Sequence, residues 1–230
     1  MAGQTYVACM RWGALYPCEY VNVLFHAVKA HMDTPFTFVC FTNESEGLHD
    51  GIEARPIPDL GLPPRGWGAG AWPKIAVFKE EAFDLPGRVL FIDLDTVISG
   101  PLAPVLEGEG FHAIGPWSWT KLNTPKPWLY EILKPRVKQL KAWLKGQPQN
   151  DSLSDRPAHI KPNTLGTGIF AFDAGAHTNI PKALMADPEY AFANYDNEQH
   201  FVENHLPEWQ EWPEKSICSF KYHLRRSILA

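Results

Sequence analysis

The stretch RVLFIDLDTVISG, Arg88 to Gly100, joins an apolar run, Val89-Leu90-Phe91-Ile92, directly to two aspartates, Asp93 and Asp95. Four consecutive apolar residues, preceded by the turn-forming Pro86-Gly87, have the pattern of a strand buried on both faces. In open α/β sheets ligands sit outside the carboxyl ends of the strands, so the aspartates fall where a site belongs. Residues two apart on an extended segment point the same way, so the carboxylates are expected to converge if strand geometry continues past Ile92. Converging carboxylates repel unless a proton or cation lies between them, and oxygen donors suit hard ions such as Mg²⁺ or Mn²⁺. The local alternative is an Asp-rich turn that caps the following segment.

Upstream, TYVACM (Thr5 to Met10) and FTFVCFT (Phe36 to Thr42) are short β-rich runs. Between them EYVNVLFHAVKAHM sets Val21, Leu24, Phe25 and Val28 on one helical face, completing a strand-helix-strand unit. The turn-rich NESEGLHDG follows, then a short strand IEARPIP and a Pro/Gly-dense loop from Asp59 to Pro73, a length that usually carries function. KIAVFKEEAF reads as a helix leading into the Val89 strand. Downstream, FHAIG and GTGIFAFDAG (Gly166 to Gly175) read as strands, WLYEILKPRVKQLKAWL as a helix interrupted by Pro135, and DNEQHFVENHL as a helix. SICSFKYHL is a terminal strand or loop. Alternating strands and helices predict an α/β fold with a mainly parallel central sheet flanked by helices.

A length of 230 residues suits one domain, 1–230, with a genuine core. With 45% hydrophobic and 20% charged residues, 21 prolines and 9 tryptophans, the composition predicts ordered loops carrying aromatic surfaces rather than disorder. The formal charge of -5 and the lack of any Lys/Arg run argue against a protein that grips nucleic acid by its phosphates. Cys9, Cys18, Cys40 and Cys218 have no metal-ligand spacing and read as reduced thiols, Cys9 and Cys40 as small core residues. The N-terminal letters lack a signal-peptide pattern, and no segment approaches the roughly 18 apolar residues of a membrane span, so a cytoplasmic protein is the default expectation.

Two families share the aspartate pattern. FIDLDTV resembles the D-x-D-x-[TV] nucleophile motif of haloacid-dehalogenase-type phosphatases, which normally opens the first strand; here a whole α/β unit precedes it, and no later G-D-x-x-x-D pair follows. A fuller resemblance, in chain order and across nearly the whole sequence, is to glycosyltransferases of the GT-A fold, especially family-8-like enzymes and their small bacterial relatives. It is carried by VACMRWGALYP, by Lys74 in WPKIAVFK, by VLFIDLDTVISGPL, by GTGIFAF, by NEQHF and by SFKYHL.

That resemblance implies a nucleotide-binding half, 1–100, ending in D-x-D, and an acceptor-side half, 101–230. It implies a nucleotide-diphospho-sugar donor, foremost a UDP-sugar, and a carbohydrate or other hydroxyl-bearing acceptor. A Mn²⁺ or Mg²⁺ ion held by Asp93, Asp95 and His223 would stabilise the departing diphosphate. Backbone groups of Cys9 and Met10 and the rings of Trp12 or Tyr16 become uridine contacts, although both rings could equally pack the next helix against the sheet. Lys74 would neutralise the diphosphate or Asp93, and Lys221 would supply charge to the diphosphate. Glu198-Gln199 matches the family's acidic-Gln pair beside the reacting carbon, with Glu in place of the usual Asp. The chain also departs from the family in carrying Gly166 where Asn is common, and in the order and spacing of Lys221 and His223. Gln199 suits retention, whereas Asp196 or Glu198 would serve as the carboxylate base of an inverting route. As plain helix residues, Asp196 would be an N-cap and Gln199 would complete a capping box. The loop tryptophans, Trp67, Trp72, Trp117, Trp119 and Trp128, suit a carbohydrate surface or act as packing staples. A binding module that keeps the fold without catalysis is the remaining alternative.

Overall fold

The computed structural model of the chain describes residues 3–68, 70–115, 157–213 and 216–219. By contacts the chain divides into two units, Met1–Trp117 with Pro162–Ile217, and Ser118–Lys161 with Cys218–Ala230; the strands and helices named here belong to the first. The expected Pro135 helix, Trp117, Trp119, Trp128, Lys221 and His223 lie outside the described residues.

The strands are β1 (Gln4–Arg11), β2 (Thr37–Thr42), β3 (Ile52–Arg55), β4 (Gly87–Ile92), β5 (His112–Ile114), β6 (Gly166–Asp173) and β7 (Gln210–Glu211). The helices among the described residues are α1 (Cys18–His31), α2 (Ala103–Leu106), α3 (Asn179–Ala186), α4 (Pro188–Asn194) and α5 (Glu198–His205). One sheet runs in the order β3-β2-β1-β4-β6-β5-β7. The first four strands are parallel. β6 is antiparallel to both β4 and β5, and β7 pairs in parallel with β5. The sheet is therefore parallel over its amino-terminal half and mixed beyond β4, because an apolar run specifies burial but not direction.

Side-chain alternation gives the two faces different chemistry. Val7, Cys9, Leu90, Ile92, Ile169 and Ala171 point to one side and are covered by Val21, Leu24, Phe25 and Val28 of α1, the face expected from helical spacing. Glu19 in the first turn of α1 and Lys29 and His31 in the last complement the helix dipole. Phe91, Phe170 and Phe172 point to the other side. There Phe91 stacks on Phe170 at 4.9 Å between centroids, and Phe78 packs on Phe172 at 4.9 Å.

Phe78 belongs to the segment expected to be an α-helix. The structure instead forms 3₁₀-helices over Trp72–Phe78 and Glu80–Ala82. All seven residues of Trp72–Phe78 are buried, so the segment has no solvent side and follows the shape of the sheet beneath it rather than an amphipathic period. Another 3₁₀ turn, Pro64–Trp67, lies within the Asp59 to Pro73 loop.

His177 closes the aromatic face, with its ring 5.4 Å from Phe111 and 6.2 Å from Phe78. Its Nε2 is buried with no hydrogen-bond partner among the described residues. Burial pushes its pKa below the ordinary histidine value, and the Asp173 carboxylate only partly opposes this. The unfolded chain therefore binds this proton more readily. The stability contributed is fully present above about pH 6.5 and is lost as pH falls through the depressed folded-state pKa. His177→Phe keeps a ring and removes the unpartnered nitrogen. It is expected to raise the melting temperature at pH 7 by about 2–4 °C, for roughly 1 kcal/mol, and to flatten the decline below pH 6.5. Thermal melts across pH check both effects.

Candidate active site

β2 and β4 lie on opposite sides of β1, and β1 leads through α1 to β2, so the strand order reverses between the carboxyl ends of β1 and β4. Such a switch point is where open α/β sheets bind ligands. A cavity of about 390 Å³ lies there, walled by Met10 near the end of β1 and Trp12 and Tyr16 after it, by Asp93 and Asp95 after β4, and by Trp67, Ala71 and Lys74.

Each wall has a local cause. Arg11, the last residue of β1, closes the following loop by donating Nε–H to the Tyr16 carbonyl at 2.9 Å. Trp12 then donates its indole N–H to the Trp67 carbonyl at 3.2 Å, joining two walls. Gly70 (φ +89°) and Ala71 (φ +53°) are both left-handed, a kink favoured by glycine and unusual for alanine. The kink turns the Trp67 loop over the cavity, and the Gly70 carbonyl accepts the Glu198 backbone N–H at 3.0 Å, tying the loop to the start of α5.

The aspartates do not continue the strand. β4 stops at Ile92, and the Thr96 N–H donates to the Asp93 carbonyl at 3.1 Å, closing a turn across Leu94 and Asp95. The expected extended geometry is thus replaced by a β-turn, and the carboxylates meet different partners on the same cavity. Asp93 keeps the alternation of Phe91 and reaches the aromatic face. Lys74 Nζ lies 2.9 Å from its Oδ1 and 3.0 Å from its Oδ2. Asp95 is exposed and lies near Tyr16, whose phenol is pushed above its usual pKa by burial and by the charges of Asp95 and Asp93.

Lys74 is buried, its side chain 6% exposed. Nζ also donates to the Thr167 carbonyl at 3.0 Å, lies 3.4 Å from Glu198 Oε1 and sits over the Phe91 ring. Burial alone would lower its pKa, but Asp93 and Glu198 outweigh burial and raise it, so the ammonium form is held. Burial pushes the Asp93 carboxyl up to about 6; Lys74 opposes this, while Glu198 and Asp95 add to it. Two carboxylates, Asp93 and Glu198, thus share the Lys74 ammonium, leaving negative charge in excess.

Asp93 and Asp95 on the cavity wall supply oxygen donors of the kind a hard divalent cation takes. No group of three or more His, Cys, Asp or Glu side chains among the described residues is arranged to hold a metal ion.

The other sequence-predicted residues divide between the cavity and its support. Met10, Trp12, Tyr16 and Trp67 line the cavity. Cys9 does not: it is wholly buried beside Cys40 across the β1–β2 pair, and burial, then Cys40, pushes its thiol well up. Trp72 is a packing residue against Phe192 and Phe201. Glu198 is 4% exposed and accepts the Thr167 hydroxyl at 2.6 Å. Gln199 donates to Asn163 at 3.4 Å. Asp196 is not the N-cap of α5. Asn197 is, accepting the His200 N–H at 3.1 Å, while Asp196 lies 3.6 Å from the His200 ring.

Sequence reasoning missed Thr167, Arg11 and Glu203. Glu203 accepts both the Thr164 N–H at 2.7 Å and the Leu165 N–H at 3.0 Å, and also takes the Thr164 hydroxyl. It thereby clamps α5 to the lead-in of β6. Thr167 had one available signal, its place between the two glycines of GTG.

The sequence matches no protein-family model and no curated protein. Solved structures share the fold. One is LgtC, a galactosyltransferase determined with donor and acceptor sugar analogues: 13% identical, TM-score 0.55, covering 90% of this chain and 72% of that one. Another is GlyE, a glycosyltransferase of Streptococcus pneumoniae TIGR4: 8% identical, TM-score 0.53, covering 98% of this chain and 49% of that one. This chain thus spans about half the length of GlyE. The mixed α/β fold with its seven-stranded sheet is that of these glycosyltransferases.

Proposed function

We propose that the chain is a metal-dependent glycosyltransferase of the GT-A fold, family-8-like, moving a sugar from a nucleotide-diphospho-sugar, foremost a UDP-sugar, to a hydroxyl-bearing acceptor. The observation that carries this reading is the cavity at the β1–β4 switch point, lined both by charged groups, Asp93, Asp95 and Lys74, and by the rings of Trp12, Tyr16 and Trp67. Charged groups and aromatic rings in one cavity are what a nucleoside diphosphate requires.

Asp93 and Asp95 would hold Mn²⁺ or Mg²⁺, with His223 completing the set. The ion, when bound, supplies a Lewis acid to the departing diphosphate. Lys74 holds Asp93 in place and keeps a positive charge at the end of β4, and Lys221 would add charge to the diphosphate, as the family resemblance implies. Trp12 and Tyr16 orient the base, and the loop bearing Trp67 restricts water. Gln199, by the family resemblance, would lie beside the reacting carbon. Retention is the reading adopted; Glu198 turns toward Thr167 and Lys74, which leaves Asp196 as the carboxylate for an inverting route.

The test is incubation with UDP- and GDP-sugars and Mn²⁺, reading nucleoside-diphosphate release with and without candidate acceptors. Metal-dependent release from one donor class is expected. Hydrolysis of phosphate esters without nucleotide-sugar binding would favour the phosphatase, and binding without release the inactive module.

A further inference from the structure

Thr167 is 2% exposed, at the amino end of β6, and three groups of the site meet around it. Its hydroxyl donates to Glu198 Oε1 at 2.6 Å and its carbonyl accepts from Lys74 Nζ at 3.0 Å. The neighbouring Gly168 carbonyl accepts the Asp93 backbone N–H at 2.8 Å. Antiparallel pairing of β6 with β4 brings this about: Ile169 lies opposite Ile92, so the strand start of one meets the strand end of the other.

The hydroxyl bond does what the backbone bonds cannot. A carboxylate only accepts, so the direction of the 2.6 Å contact is fixed, and its length is that of a charge-assisted bond. The same Glu198 oxygen stands 3.4 Å from Lys74 Nζ, a looser contact than the 2.9 Å from Nζ to Asp93. A glutamate has three rotatable side-chain bonds. Without the hydroxyl, only that looser contact keeps this oxygen beside the ammonium, and Lys74 loses its second fixed counter-charge.

We propose that Thr167 is a positioning residue for the transfer reaction: its hydroxyl pins Glu198 behind Lys74, so that the ammonium stays fixed at the end of β4 against Asp93. This assigns Glu198 a supporting role within the site and makes the threonine between the two glycines a functional letter. The inference rests on the glycosyl-transfer reading, and its test separates the two.

Thr167→Val keeps the β-branched shape and removes the hydroxyl; Thr167→Ser keeps the hydroxyl and removes a methyl group. With donor and Mn²⁺, Thr167→Val is expected to lower kcat by roughly 10–100-fold, with donor KM changing far less, and Thr167→Ser to restore most of the rate. A second measurement needs no turnover: acetylation of Lys74, followed by peptide mass mapping at fixed pH. Its side chain is 6% exposed, so the wild type reacts slowly. Thr167→Val is expected to react several-fold faster and Thr167→Ser to match wild type. Circular dichroism and melts confirm that both variants fold.

Unchanged kcat in Thr167→Val, unchanged Lys74 reactivity, or equal damage in the serine and valine variants each overturns the proposal. If wild type releases no nucleoside diphosphate from any donor while acetylation still separates valine from serine, the transferase reading falls and the positioning of Lys74 stands.

Discussion

Asp95→Ala is expected to reduce nucleoside-diphosphate release by on the order of 10²–10³-fold, the range seen when one preorganised group that stabilises transition-state charge is removed. Its melting temperature should remain within about 1–2 °C of wild type. The combination is diagnostic because Asp95 is exposed in a turn, so its substitution disturbs little packing. A stable protein that loses turnover places Asp95 in the chemistry. Retained turnover would remove the D-x-D pair from the mechanism and leave Asp95 as the turn residue that its local sequence also allowed. Asp93 is less clean for this purpose, since its substitution also disturbs a buried lysine.

Lys74→Met should have the largest effect on folding. Methionine approximates the aliphatic stem but leaves Asp93 and Glu198 without the ammonium between them. Removing one partner of a buried ion pair costs about 3–5 kcal/mol, roughly 6–20 °C in melting temperature for a chain of this size. The exposures decide which partner suffers. Asp93, with 32% of its side chain exposed, can turn to water or take up a proton, whereas Glu198, with 6%, cannot readily do so. The lower half of the range is therefore expected, and most of the loss should trace to Glu198. Adding Glu198→Gln to Lys74→Met should recover part of it, with a coupling of about 0.5–3 kcal/mol in the double-mutant cycle measured by denaturant melts. Strictly additive effects would show that the two side chains do not act as a pair. Arginine is a poor substitute, because its planar fork does not reproduce a compact ammonium that reaches Asp93 and the Thr167 carbonyl together.

The parts of the fold readable from sequence were those set by short-range periodicity. The i, i+3, i+4, i+7 spacing of Val21, Leu24, Phe25 and Val28 placed the buried face of α1, and the apolar runs placed β1, β2, β4 and β6 to within a residue or two. The position of Asp93 after a buried strand pointed to the end of the sheet where the cavity lies. Lys74 had been open to pairing with Asp93 or with a phosphate, and the structure has it on Asp93.

Long-range pairing hid the rest. Strand direction beyond β4 depends on how β6 is brought back, and no local pattern encodes it. Trp72–Phe78 is buried all round, so periodicity could not separate a 3₁₀-helix from an α-helix. The capping letters Asp196 and Asn197 are adjacent and equally suitable, and only the packing of α5 decides between them. Glu198 reads as a catalytic carboxylate until Thr167, 31 residues away, is seen to hold it inward. Glu203, reaching Thr164 across 39 residues, gave no signal at all beyond an acidic letter in a helix.

The central claim is that the cavity between β1 and β4 cleaves the bond between a sugar and a nucleoside diphosphate. The most direct measurement is nucleoside-diphosphate release by the wild-type chain from a panel of UDP- and GDP-sugars, with Mn²⁺, with Mg²⁺ and with chelator. The account predicts release from one donor class, supported by either ion, lost with chelator and increased by an acceptor. Absence of release and of nucleotide binding across the whole panel, with the protein folded and the metal present, would contradict it.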